Sequence, residues 1–329
     1  MEYRRLGKSG LKVSSLSLGS WVTFGNQISD DVAEDLMIKA YDAGVNFFDN
    51  AEVYANGKSE EVMGKILHKT EWSRDSFVVS SKVFWGGTKP NQFGLSRKHI
   101  MEACHAALKR LRVDYLDLYF CHRADRDTPI EETVFAMNDL IRQGKILYWG
   151  TSEWDAGRIA EADGIAKANH LIGPTMEQPQ YNMFTRDRFE LEYRNLYSHI
   201  GLGTTIWSPL ASGMLTGKYQ NGEPGNTRIN LPEMGWLKDK FGGPEGASMI
   251  DKTSKLMKIA ADLGISLPQL AIAWCLKNKN VSTVILGASK TAQLEENLKS
   301  VEAIEKLNDE VMNAIEEILQ NKPKFPVFG

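Results

Sequence analysis

Ser15-Leu16-Ser17-Leu18-Gly19-Ser20-Trp21 is the stretch that separates the two folds open to this chain. It reads as a short strand running straight into a turn. In an open doubly wound sheet that binds a dinucleotide, the first strand leads into a G-x-G-x-x-G turn. Here one glycine is followed by serine and tryptophan. The stretch therefore suits the first strand of a closed (β/α)8 barrel, a TIM barrel.

Further strand-like runs follow at 46–49, 77–82, 115–122, 146–151, 175–178, 203–207 and 283–286. Several are almost wholly apolar, such as Phe77-Val78-Val79, which implies cover on both faces. Helical spacing fills the gaps. Ala33, Leu36, Met37, Ala40 and Tyr41 share one face. Ile100, Cys104, Ala107, Leu108 and Leu111 share another, opened by a capping Ser96. Pro268 opens a helix that runs through Ala271 to Leu276. The expected fold is a single domain over 1–329, an α/β barrel of eight strand–helix units. Residues 3–12, with Gly7 and Gly10, are read as a hairpin closing the barrel floor. After strand seven, 213–248 is too long for an ordinary βα loop. Its Tyr219, Trp236 and Phe241 predict an ordered excursion. Residues 321–329 read as an exposed tail.

The chain has 329 residues, 42% hydrophobic and 25% charged, with a formal net charge of −3. That composition suits a packed globule and gives no nucleic-acid footprint. No apolar run approaches the roughly 20 residues that span a bilayer, so membrane insertion is not expected. The N-terminus lacks a signal-peptide core. Cys104, Cys121 and Cys275 lie far apart with no CxxC, which points to a reducing, cytoplasmic setting. The histidines show no metal-binding spacing, and no metal is assigned.

In a barrel, reactive groups come from the C-terminal ends of the strands. Those ends offer Asp49 and nearby Tyr54, then Lys82, then His122. Each alone has an ordinary reading: a loop cap, a rim aromatic, a surface lysine, a core histidine. Together they suit carbonyl reduction. Tyr54 is the proton donor, and Lys82 is expected to lower its pKa. Asp49 holds Lys82, and His122 donates to the substrate oxygen.

At these residues the chain resembles the aldo-keto reductases. The likeness is carried by Gly44-Val45-Asn46-Phe47-Phe48-Asp49-Asn50-Ala51-Glu52-Val53-Tyr54, Lys82, Cys121-His122-Arg123 and Trp149-Gly150-Thr151-Ser152. Phe84-Trp85-Gly86-Gly87, Gly94-Leu95-Ser96-Arg97-Lys98-His99-Ile100 and Trp207-Ser208-Pro209-Leu210-Ala211 resemble one branch in particular. That branch is the beta subunits of voltage-gated potassium channels and their bacterial relatives. The likeness spans about residues 3–325. It implies a catalytic tetrad of Asp49, Tyr54, Lys82 and His122. It also implies an NADPH site, with Ser152 and Gln178 on the nicotinamide amide and Trp207 stacked on the ring. Ser20, Trp21, Gln27 and Asp49 would lie along the nicotinamide side. Ser208, Pro209, Leu210, Ala211 and Ser212 would meet the pyrophosphate, with Lys218. Arg228, Gly287, Ser289 and Gln293 would hold the 2′-phosphate end, beside Lys290, and Glu296 and Asn297 the adenine.

Trp21 and Trp85 are expected at the substrate pocket. Trp154 is either a rim aromatic or a packing one. The pocket shows no obvious anion-binding arginine, which suits small, weakly polar aldehydes. Two departures from the channel subunits matter. His122 stands where the mammalian ones have asparagine, which points to catalysis. Glu153 stands where the branch has arginine, so it is left out of the site. The chain also starts at the barrel, without the pore-blocking extension of some channel subunits. The expectation is an NADPH-dependent reductase of small aldehydes or ketones, cytoplasmic and homo-oligomeric (tetramer or octamer). The alternative is an auxiliary subunit that docks on a potassium channel and uses NADP(H) as ligand or redox sensor.

Overall fold

The computed structural model describes residues 1–220, 235, 238 and 241–325. The chain divides into two compact units. The first takes in Met1–Pro179, Glu192–Trp207 and Asn280–Glu295, and the second Gln180–Leu191, Ser208–Lys279 and Glu296–Gly329.

The first unit holds the barrel. Strands β3 (Leu16–Gly19), β4 (Phe47–Asp49), β5 (Val78–Val83), β6 (Leu116–Cys121), β7 (Ile146–Thr151), β8 (Met176–Glu177), β9 (Gly203–Ile206) and β10 (Thr283–Leu286) form one closed sheet. All neighbours are parallel, and β10 closes the ring by pairing Val284 with Leu16 and Thr283 with Thr205. Every expected strand is present, with ends shifted by no more than a residue. The reason is burial on both faces: β3, β5 and β6 are buried at every position. Such strands read as unbroken apolar runs bounded by polar turns.

Helices α1 (Asp30–Asp42), α2 (Lys58–Lys69), α3 (Arg97–Leu111), α4 (Ile130–Arg142), α5 (Ala156–Ala168) and α6 (Arg194–His199) alternate with the strands. The Ser96 side chain accepts from His99 N and caps α3, whose Ile100, Cys104, Ala107, Leu108 and Leu111 are all buried. In α1, Ala33, Leu36, Met37 and Ala40 are buried as their spacing predicts.

Strands β1 (Tyr3–Arg5) and β2 (Lys12–Ser14) pair as the expected N-terminal hairpin. Its Leu6 and Val13 are fully buried against Phe47, Val78 and Met176, the first residues of their strands. The hairpin thus seals the N-terminal end, opposite the strand ends that carry the candidate chemistry. Gly7 makes this seat possible. It adopts φ +58°, and a Cβ there would fall 2.2 Å from the Gly201 carbonyl oxygen.

The second unit, among the described residues, contains helices Gly243–Asp262, Leu267–Lys277 and Asp309–Leu319, and no strand of either sheet. Ser266 caps the second of these in a reciprocal box with Gln269, with Pro268 in the first turn as expected. The ordered excursion expected over 213–248 takes in the start of a helix. That helix begins at Gly243, with Gly242 as its cap and Pro244 in its first turn, so the glycines and proline there open a helix. Tyr219 packs on Phe241 at 5.7 Å. Arg228 and Trp236 lie outside the described residues. Asn321, the first residue of the stretch read as an exposed tail, is held by Arg186 and by the Met183 carbonyl. Cys104, Cys121 and Cys275 are free thiols, each fully buried.

Candidate active site

The C-terminal ends of the barrel strands gather the predicted residues. Ser20 follows β3, Asp49 ends β4, Lys82 is next to last in β5, and His122 follows β6. Ser152, Gln178, Trp207 and Gly287 follow β7, β8, β9 and β10.

At the centre lies the Lys82 ammonium, fully buried. It donates to Asp49 Oδ2 at 2.6 Å, to the Asn50 carbonyl at 2.7 Å and to Tyr54 Oη at 3.2 Å. Those three bonds use every donor an ammonium has. Asp49 is fixed in turn by Ser80 Oγ at 2.8 Å and Gln178 Nε2 at 3.1 Å, both on Oδ1. Its carbonyl also accepts from Ser20 Oγ at 3.0 Å. Gln178 Nε2 further donates to Thr205 Oγ1 at 3.2 Å. A buried charge pair is tolerable only when its remaining polar atoms are satisfied, and here they are.

The electrostatics correct one expectation. Lys82 does not bring the Tyr54 phenol down. Burial, and then the Asp49 carboxylate, push it well above the ordinary value, against a smaller pull from Arg123. Burial also lowers Lys82, with Asp49 opposing. Tyr54 is therefore a firmly protonated phenol whose oxygen already accepts from Lys82, leaving its proton for another acceptor.

His122 is held well below its ordinary value by burial, then by the charges of Lys82 and Arg123. It is a neutral imidazole. Its buried Nδ1 has no hydrogen-bond partner among the described residues. The ring sits edge-on to Trp85 at 4.9 Å and to Tyr54 at 5.9 Å. Trp85 thus stands beside His122. Trp154 is only 1% exposed, with its carbonyl bonded by Tyr193 Oη, so of its two readings the packing one holds.

One residue was missed. Arg123 places its guanidinium 5.2 Å from the Trp85 ring centre and 3.4 Å from Ser152 Oγ. The expectation of a mouth without arginine is thus corrected. The sequence signal was its position right after His122 at a strand end.

Ser152 Oγ donates to the Gln178 carbonyl at 3.0 Å. Trp207 stands edge-on to Trp21 at 5.9 Å, and its Nε1 donates to Glu153 Oε1 at 2.9 Å. A hydroxyl and an amide on neighbouring strand ends, beside an indole, fit a flat carboxamide-bearing ring. Gln27 is exposed in the turn after Trp21 and makes no contact with this cluster among the bonds described. Ser289 donates from N and Oγ to Gln293 Oε1, at 3.1 and 3.2 Å, at the start of helix Thr291–Leu298.

Ser208, Pro209, Leu210, Ala211, Ser212 and Lys218 belong to the second unit, as do Glu296 and Asn297. Within it, Ser208, Ala211, Ser212 and Gly213 all take positive φ, and the N–H groups of Ala211, Ser212 and Gly213 are bonded inside the turn, to the Ser208 carbonyl, Ser208 Oγ and the Leu210 carbonyl. A Cβ on Gly213 would come within 2.7 Å of Lys218 Nζ, so the ammonium lies against this turn. The charge of that ammonium suits a diphosphate. Asn297 is buried, and the Glu296 carbonyl accepts from Gln269 Nε2 at 3.2 Å.

A model of the aldo/keto reductase family matches residues 15–320. A probable voltage-gated potassium channel subunit beta of Arabidopsis thaliana is 52% identical over 331 residues, 99% of each chain. One from Oryza sativa subsp. japonica is 52% identical over 329 residues, 98% of each chain.

Proposed function

The chain belongs to the aldo/keto reductase family, whose members are NAD(P)-dependent oxidoreductases, and from that premise we propose that it is an NADPH-dependent carbonyl reductase acting on small aldehydes or ketones. The observation that supports this best is the Lys82 ammonium joining Asp49 to Tyr54 beside a neutral His122 whose Nδ1 has no hydrogen-bond partner among the described residues. Ser152, Gln178 and Trp207 would hold the nicotinamide, with Ser20, Trp21 and Gln27 along its side. Ser208–Ser212 and Lys218 would hold the diphosphate. Arg228 and the segment from Gly287 to Asn297 would hold the adenosine end, with Ser289 and Gln293 near the 2′-phosphate and Glu296 and Asn297 on the adenine. When bound, the cofactor supplies the hydride.

The protein's own groups then do the rest. His122 orients the carbonyl oxygen and bonds more strongly as negative charge grows there. Tyr54 gives its proton to that oxygen, because an alkoxide is far more basic than a phenolate. The phenolate left behind sits 3.2 Å from the Lys82 ammonium, which Asp49 keeps aimed at it. Trp85 and Trp21 supply apolar walls for small substrates. We place the protein in the cytoplasm as a homo-oligomer. Among the described residues no single helix is long and apolar enough to cross a membrane.

A second reading is favoured by the relatives: plant proteins named as probable channel beta subunits share 52% identity over nearly the whole chain. On it, the protein is an auxiliary subunit of a potassium channel, with NADP(H) as ligand or redox sensor. The deciding assay follows NADPH absorbance over a panel of aldehydes, with NADH in parallel. Multiple turnovers favouring NADPH support the reductase. Tight nucleotide binding without turnover of any aldehyde would transfer support to the auxiliary subunit.

A further inference from the structure

Glu153 was set aside on sequence, yet the structure gives it a definite partner. Its Oε1 accepts from the Trp207 indole N–H at 2.9 Å. Glu153 does this from a backbone at φ +58°, a conformation that non-glycine residues enter only at a cost. Outliers of this kind collect where a side chain must be aimed. Trp207 is steered from two further directions. Its backbone N–H bonds the Pro179 carbonyl at 3.1 Å, and its ring meets Trp21 nearly perpendicular, at 89°. A carboxylate on the indole N–H is a charge-assisted bond, stronger than a neutral one. It fixes the rotation of the ring. It also pushes electron density into the π system and makes the indole face more negative. A more negative face attracts a cation more strongly.

The two redox forms of the cofactor differ in this respect. The oxidised nicotinamide ring carries a positive charge, and the reduced ring is neutral. We propose that Glu153 is a positioning residue that, through Trp207, makes the site prefer the oxidised coenzyme over the reduced one. The inference rests on the cofactor reading above and adds to it a bias between redox forms. Its consequence is slow release of oxidised coenzyme after each turnover.

The test is equilibrium titration of the whole protein with NADP+ and, separately, NADPH, read by protein fluorescence. Glu153→Gln keeps the shape and removes the charge. It should weaken NADP+ by about 3–10-fold, the scale of a partly desolvated cation–π contact, and NADPH by much less. Glu153→Arg should move the ratio of the two affinities further the same way. In a Trp207→Phe background, which has no N–H to donate, Glu153→Gln should leave the ratio unchanged. Equal weakening of both forms would reduce Glu153 to a structural prop and overturn the inference. So would a ratio shift that survives in Trp207→Phe. Wild-type protein that binds neither form would overturn the cofactor reading as well. Wild-type binding of both, with an unaltered ratio in Glu153→Gln, would overturn the role of Glu153 alone.

Discussion

Burial and Asp49 hold the proposed proton donor, Tyr54, in its protonated form, so deleting its hydroxyl should strike chemistry and spare binding. Tyr54→Phe should lower carbonyl reduction by about 10²–10⁴-fold, the usual worth of general acid catalysis. NADPH affinity by fluorescence titration should barely move, and a fully active variant would remove Tyr54 from the mechanism. His122 makes a second case at this scale. His122→Asn should slow hydride transfer while leaving NADPH binding and folding intact, because the lost bond matters most in the transition state. Single-turnover absorbance is the right readout, since slow coenzyme release hides chemical defects in steady state. Equal single-turnover rates would leave His122 a structural role and strengthen the auxiliary-subunit reading. These side chains could be singled out as candidates because His122 stands at a strand end and Tyr54 in the loop after one. Their electrostatics were not. The direction of the Tyr54 shift depends on how deeply the ring is buried, and the reach of Arg123 back over Trp85 depends on a side-chain path that no spacing encodes.

Between β5 and α3 the chain makes a small antiparallel loop that carries Trp85 to His122, with Trp85 bridged to Phe93. Its root is fastened to the Asp49–Tyr54 segment. Glu52 accepts from Phe84 N at 2.7 Å, and its other oxygen lies 3.4 Å from His99 Nε2. His99 Nδ1 is 2.8 Å from the Gly94 carbonyl, which can only accept, so Nδ1 carries a proton. Nε2 faces a carboxylate and gains by carrying one too. Burial pulls the His99 pKa down, but the hydrogen bond and charge of Glu52, the Gly94 bond and Glu102 raise it above the ordinary 6.5. A raised folded value stabilises the fold fully below the unfolded pKa, and that gain is lost as pH rises through the folded value. Relative to His99→Gln, the wild type should therefore lose stability as pH is raised from mildly acidic to alkaline in urea unfolding. A constant difference across that range would show that the pair is uncharged. None of this was readable beforehand, because Glu52 and His99 lie on different elements and meet only once the barrel closes. The helix at Gly243–Asp262 was misread for a simpler reason: glycine and proline mark helix starts as well as loops.

At the scale of the molecule, the barrel was legible from the alternation of strands and helices together with the missing G-x-G-x-x-G turn, helped by strands such as β5 and β6 that are buried at every position. The split into two units was not, because the second collects stretches far apart in sequence. The buried cysteines turn that split into something measurable. Cys104 and Cys121 lie in the first unit and Cys275 in the second. Burial pushes the Cys104 thiol up to about 12 and raises the other two as well. Only a thiolate reacts with alkylating reagents, so in the folded protein all three are silent until the chain opens around them. Each is then a clock for its own unit. Under mild denaturant, pulse alkylation read by peptide mass should mark Cys275 before the other two, because helices without a sheet open more readily than a closed barrel. Simultaneous marking of all three would mean that the two units unfold as one.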